Sequence, residues 1–141
     1  MADGSKTMSP ASVWFVPAGE TVFDVTDFSI DEPMNGLFQV VVHAYSPDGT
    51  VDPTTFIGKG GAFRFRHHAG DLVRAGICSE AAQVQNQPDG AVTISTYRFV
   101  IVPALSRTTL RRNSRHFQGL TVPEIVFKIL EEWTLPYAFD L

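Results

Sequence analysis

The sequence predicts a mainly β fold: an antiparallel β-barrel or sandwich carrying a short helical turn and one C-terminal amphipathic helix. Two observations lead there. Four to six short segments rich in β-branched and aromatic residues are separated by clusters of Pro, Gly, Asp and Asn. Helical periodicity is clear only once, after residue 121, behind residues that suit a helix start.

Residues 12–16 and 21–30 are predicted as the first two strands, parted by Pro17-Ala18-Gly19. Asp24, Asp27 and Asp31 give the second one a wet face. In 37–45, Phe38, Val40, Val42 and Ala44 alternate onto one side, while Gln39 and His43 fall on the other. Ser46-Pro47-Asp48-Gly49 supplies turn chemistry, proline presetting φ and glycine accepting positive φ. The run 52–58 reads as a single helical turn: Asp52 caps it, Pro53 suits its first position and Gly58 its exit. In 62–68, Phe63 and Phe65 alternate with Arg64 and Arg66, which predicts a half-buried strand with an arginine face. Segments 72–85 and 91–102 flank Gln87-Pro88-Asp89-Gly90 and predict a long antiparallel hairpin. Pro103 cannot donate to a ladder, so the second of these strands ends or bulges there.

The helix follows an arginine-rich connector. Thr121-Val122-Pro123-Glu124 fits a capping box, in which the threonine and the glutamate satisfy each other's backbone N–H groups. Pro123 is tolerated in the first turn. Val122, Ile125, Val126, Ile129, Leu130 and Trp133 then form one apolar stripe, and Pro136 ends the segment. The predicted organisation is a loose leader over 1–11, a β-domain over 12–118, and a helix with its tail over 119–141.

Composition agrees with a packed domain. The chain has 141 residues, 44% of them hydrophobic and 18% charged, and eleven are Phe. A domain of this length buries about 68–70% of its extended surface. Disorder needs low hydrophobicity and high net charge, and this chain has neither. No apolar run approaches the 18 or so residues of a membrane helix. The first ten residues, MADGSKTMSP, lack the apolar segment of a signal peptide, so synthesis in the cytoplasm is expected. Cys78 is the single cysteine. It excludes an intrachain disulfide or cysteine-based zinc site and reads as a small apolar residue within a strand.

Charge is unevenly spread along the chain. Residues 1–58 carry one basic and eight acidic groups, 59–118 nine basic and three acidic, and 119–141 one basic and four acidic. Such asymmetry either steers association between complementary surfaces or is neutralised within one chain.

No catalytic constellation emerges. Of His43, His67, His68 and His116, the adjacent pair is expected to point to opposite faces of a strand, and no His-x-x-x-His spacing exists. Gly-x-Ser-x-Gly is absent, and Ser114 lies in the connector. A strand-interior Cys78 is a poor nucleophile. Asp31-Glu32 and Glu131-Glu132 are neighbours whose side chains diverge, so they read as solvated faces. Gly58-Lys59-Gly60-Gly61 lacks the phosphate-loop spacing. No enzyme activity, metal or cofactor is expected.

Arg107, Arg111, Arg112 and Arg115 are the best candidate binding surface. They suit nucleic-acid phosphates, carboxylates of a neighbouring subunit, or Asp24, Asp27 or Asp31 of the same chain. Negative net charge and the absence of interleaved aromatic platforms argue against nucleic acid.

Three motifs carry a family resemblance: Pro103-Ala104-Leu105, then Thr109-Leu110-Arg111-Arg112-Asn113-Ser114-Arg115-His116-Phe117-Gln118, then Val122-Pro123-Glu124-Ile125-Val126. In this order the chain resembles the N-terminal hub region of the VgrG family, the spike proteins of type VI secretion. Phe28, Leu37-Phe38, Phe56-Ile57-Gly58 and Pro88-Asp89-Gly90 extend the likeness to roughly 12–141. The resemblance implies a non-enzymatic part of the phage tail-hub type. It would be homotrimeric, seated on a hexameric Hcp-like tube, carrying effectors or adaptors, and delivered outward with the apparatus. It makes Arg107, Arg111, Arg112 and Arg115 a subunit interface and Thr121 with Glu124 a structural cap. A hub of a phage-like contractile tail is the alternative, and a nucleic-acid-binding barrel a further one. Ser106-Arg107-Thr108 departs from the family's bulky residues after Pro-Ala-Leu. Family architecture continues into further barrels and a β-prism needle, so the chain is expected to be a fragment of that longer design.

Overall fold

A computed structural model describes residues 10–16, 23–89 and 92–136. Most of the expected leader, the Pro17-Ala18-Gly19 turn, Gly90 and the tail after Pro136 lie outside the described residues. Six strands form: β1 (Ala11–Val16), β2 (Asp24–Asp31), β3 (Gln39–Ser46), β4 (Gly60–His67), β5 (Gly70–Asp89) and β6 (Val92–Val102). All pairings are antiparallel, and the order β1-β2-β3-β6-β5-β4 closes into a barrel. Of the two architectures open from sequence, the barrel is therefore the one adopted. Closure runs through β1, which pairs with β4 along its whole length and with β2 at Ser12 and Asp24.

The alternation read from sequence is what fills the barrel. Val40, Val42 and Ala44 are fully buried, and β6 adds Tyr97, Phe99 and Ile101 on the same side. Each Val, Ile or Phe side chain of this kind contributes about 1.5–3 kcal/mol of transfer free energy when withdrawn from water. Phe23 stands at the centre of an edge-to-face cluster, 4.8 Å from Phe99, 5.5 Å from Tyr97 and 5.6 Å from Phe56 between ring centroids. Such geometry sets positive ring edges against negative faces. The Tyr97 hydroxyl, buried with its ring, donates to the Asp48 and Val51 carbonyls at 3.3 Å. That satisfies a polar group in the core and pins the loop between β3 and the next turn.

The predicted helical turn is a 3₁₀ turn over Pro53–Phe56. Its Asp52 cap accepts from the Thr54 N–H at 2.9 Å and from the Thr54 hydroxyl at 2.7 Å. These bonds hold the Asp52 carboxyl below its ordinary value. Phe56 closes the turn by burying its ring in the core. Gly76 lies on β5 where a Cβ would come 2.0 Å from the Val102 carbonyl oxygen, so any side chain there would force the strands apart.

One expectation needs correction. His67 and His68 do not point to opposite faces: β4 ends at His67, His68 lies in the turn, and their rings come within 3.7 Å between centroids. Strand alternation stops applying where the strand stops.

Contacts divide the chain into two compact units, Met1–Pro103 and Ala104–Leu141. The arginine connector, expected with the β-domain to residue 118, groups instead with the helix. It opens with a 3₁₀ segment over Ala104–Leu110 that the sequence reading lacked. There the Thr108 hydroxyl donates to the Leu105 carbonyl at 2.8 Å and that of Thr109 to the Ser106 carbonyl at 2.7 Å. The helix, α1, spans Val122–Glu132.

Candidate functional site

The chemistry of the second unit begins with the two ends of α1. At its start the Thr121 N–H donates to Glu124 Oε2 at 2.6 Å, and the Thr121 hydroxyl donates to the same oxygen at 2.8 Å. The carboxylate thus satisfies an N–H that the first turn leaves orphaned. The Thr121 backbone bond, followed by its hydroxyl, holds the Glu124 carboxyl below its ordinary value.

At the other end the Thr134 N–H donates to the Glu131 carbonyl at 2.9 Å and the Leu135 N–H to the Leu130 carbonyl at 3.1 Å. This crossed pair is a Schellman motif. It places Thr134 at φ 53°, a left-handed conformation that a β-branched residue adopts only under strain. Leu135, three residues past the helix end, is buried.

Against the last turn lies a groove of about 280 Å³, lined by Thr108, Arg111, Asn113, Arg115, Phe117, Ile129, Glu132 and Trp133. Its polar wall is an ion pair in which Arg115 Nη1 donates to Glu132 Oε1. The Arg115 hydrogen bond is the main reason the Glu132 carboxyl lies below its ordinary value, and the Arg111 and Lys128 charges add to it. The same bond raises the Arg115 guanidinium. The apolar wall is Phe117, Ile129 and Trp133, all half-buried.

Of the four candidate arginines, the structure brings Arg111 and Arg115 into one groove, while Arg107 sits in the last turn of the 3₁₀ segment. Among the described residues, Arg107, Arg111 and Arg112 form no ion pair. Arg115 is paired within its own chain, though with Glu132 and not with the aspartates considered from sequence. Asp27 faces His43 at 3.5 Å, and Asp24 hydrogen-bonds Tyr45, raising that phenol. Glu132, read from sequence as part of a solvated pair, lines the groove and pairs with Arg115, which the sequence reading missed. Its spacing of three from Ile129 places it beside the apolar stripe, and Glu131 falls elsewhere on the helix.

Elsewhere the polar groups have structural roles. Arg74 makes a two-pronged pair with Glu32, and Arg98 Nη1 lies 2.8 Å from Glu80 Oε2. The Arg64 guanidinium lies 5.2 Å from the centroid of the Trp14 ring. Cys78 is fully buried, and burial pushes its thiol up to about 11, which keeps it unreactive at neutral pH. Among the described residues, no group of three or more His, Cys, Asp or Glu is arranged to hold a metal ion. Among the described residues, no helix is long and apolar enough to cross a membrane.

Comparison with known proteins joins this geometry to a family. Residues 31–141 match the family described as phage tail baseplate hub (GPD). Over 46 residues, 32% of this chain, it is 52% identical to the actin cross-linking toxin VgrG1 of Vibrio cholerae. Over 58 residues, 39% of this chain, it is 48% identical to the type VI secretion system spike protein VgrG4b of Pseudomonas aeruginosa. The matched stretches span only 4% and 7% of those relatives. The fold is that of the E. coli c3393 protein, a type VI secretion component described as similar to the T4 tail proteins gp27 and gp5. The TM-score is 0.73 at 22% identity, over 86% of this chain and 32% of that one.

Proposed function

We propose that this chain, which belongs to the phage tail baseplate hub (GPD) family, serves as a structural hub piece of a VgrG-like type VI secretion spike and not as an enzyme. One observation carries the reading: the family match from residue 31 to residue 141 takes in four of the six strands of the barrel, β3 to β6, and the whole capped-helix unit. Both units thus belong to one hub design. Relatives named as spike proteins support the secretion setting.

On this reading the chain assembles as a homotrimer on an Hcp-like tube, and effectors or adaptors ride on the complete assembly. Arg107, Arg111, Arg112 and Arg115 then face a neighbouring subunit, and the apparatus carries the hub outward. The cationic groups act by pairing with carboxylates, which planar guanidinium groups do in two-pronged fashion.

The test is mass measurement by light scattering, followed by capture on an immobilised Hcp-like tube protein. A trimer that binds the tube supports the reading. A stable monomer that ignores the tube removes it. A parallel experiment with a phage tail-tube protein separates the phage-like alternative, since a hub should prefer its own tube. Titration with single-stranded oligonucleotide across salt addresses the remaining alternative, where tight and steeply salt-dependent binding would favour nucleic acid.

A further inference from the structure

We propose that the groove of the second unit receives the turn at residues 31–36 of a second copy of this chain, a contact that rests on the assembly reading above. The turn is built as a knob. β2 ends at Asp31, and the Gly36 N–H donates to the Pro33 carbonyl at 3.2 Å, holding the tip in a tight turn. Met34, at that tip, is 98% exposed. A long apolar side chain carried into water on a hydrogen-bonded turn marks a contact point, and methionine adapts its shape to the surface it meets. The neighbouring Glu32 is held by Arg74, but Asp31 is exposed and makes no ion pair among the described residues.

The groove is the complement of that knob. Its volume of about 280 Å³ lies at or below the range of about 300–1,000 Å³ typical of small-molecule sites, so it suits a side chain or two better than a cofactor. Phe117, Ile129 and Trp133 give methionine an apolar seat. Arg111, whose guanidinium has no ion-pair partner among the described residues, stands at the polar wall where an incoming carboxylate would arrive. Charge supports a second copy as the source: residues 1–58 are strongly acidic and 59–118 strongly basic. A knob on one unit and a groove on another make a head-to-tail contact, which closes into a ring if the rotation allows.

Sedimentation velocity of the 141-residue chain over a wide concentration range tests this, with far-UV melting as the check on folding. Asp31→Arg and Arg111→Glu are each expected to weaken association about tenfold or more, as loss of a close charge pair does. The double variant D31R/R111E should restore it, since each contact regains opposite charges. Met34→Ala should weaken association without changing the charge pattern.

Association that survives both single reversals would overturn the contact while leaving the assembly reading intact. So would a double variant no better than either single one. A wild-type chain that stays monomeric throughout would remove both. Coupling between the two sites that shows in the melting of a monomer, independent of concentration, would place knob and groove in one chain and overturn the second-copy contact.

Discussion

The barrel and the helical unit are stabilised by different means. In the barrel, Val40, Val42, Ala44, Phe63, Tyr97, Phe99 and Ile101 lie at or near zero exposure, and the one buried hydroxyl among them has its partners. In the second unit no residue of α1 is fully buried. Val122 is 74% exposed and Leu110 85%. What the barrel gains from packing, the helical unit takes from its cap, its Schellman turn and the Arg115–Glu132 pair. The contrast sets a packed barrel core against a unit that keeps Leu110 and Val122 in water, the kind of surface that the proposed assembly would cover.

That contrast is open to attack through substitution. Phe99→Ala should cost about 3–5 kcal/mol in denaturant unfolding, because it removes a fully buried ring that packs against Phe23, Phe56 and Tyr97. A value near 1 kcal/mol would mean the barrel core is looser than its burial implies. Gly76→Ala should cost about 1–3 kcal/mol, since the new Cβ meets the Val102 backbone and the strands must yield.

Effects in the helical unit should be smaller. Thr121→Ala should cost about 1 kcal/mol of helix stability, read by circular dichroism. Thr134→Gly should stabilise by roughly 1 kcal/mol, because glycine takes the left-handed conformation without a Cβ penalty. Destabilisation there would mean that the threonine hydroxyl or methyl contributes more than the strain it carries.

Acid gives the gentlest probe. The Glu124 and Glu132 carboxyls are held below their ordinary values by Thr121 and Arg115. Their stabilisation is fully present above the ordinary glutamate range and is lost as pH falls through the lowered folded values. The helix signal should therefore soften with acid, and Glu132→Gln should flatten the part of that dependence due to Arg115.

Much of the barrel was legible because its physics is periodic. Phe38, Val40, Val42 and Ala44 recur every second residue, and a period of two can bury only one face. The 52–58 turn and the helix start were legible because Asp52, Pro53, Thr121 and Glu124 act on backbone groups only a few residues away. The 3₁₀ segment was not, since Thr108 and Thr109 bond back to carbonyls in a geometry that their residue type permits but does not demand. The Arg115–Glu132 pair joins residues 17 apart, and no local rule selects that carboxylate over the aspartates of β2. The close approach of the His67 and His68 rings depended on where β4 stops, and strand ends are weakly specified by pattern alone.

The central claim is that this chain is an assembling part whose open unit meets another subunit. Light scattering of the purified chain over a range of concentrations tests it most directly. The account predicts that the mass rises with concentration from 15.5 kDa to three times that value and no further. A mass fixed at 15.5 kDa at every concentration would contradict it.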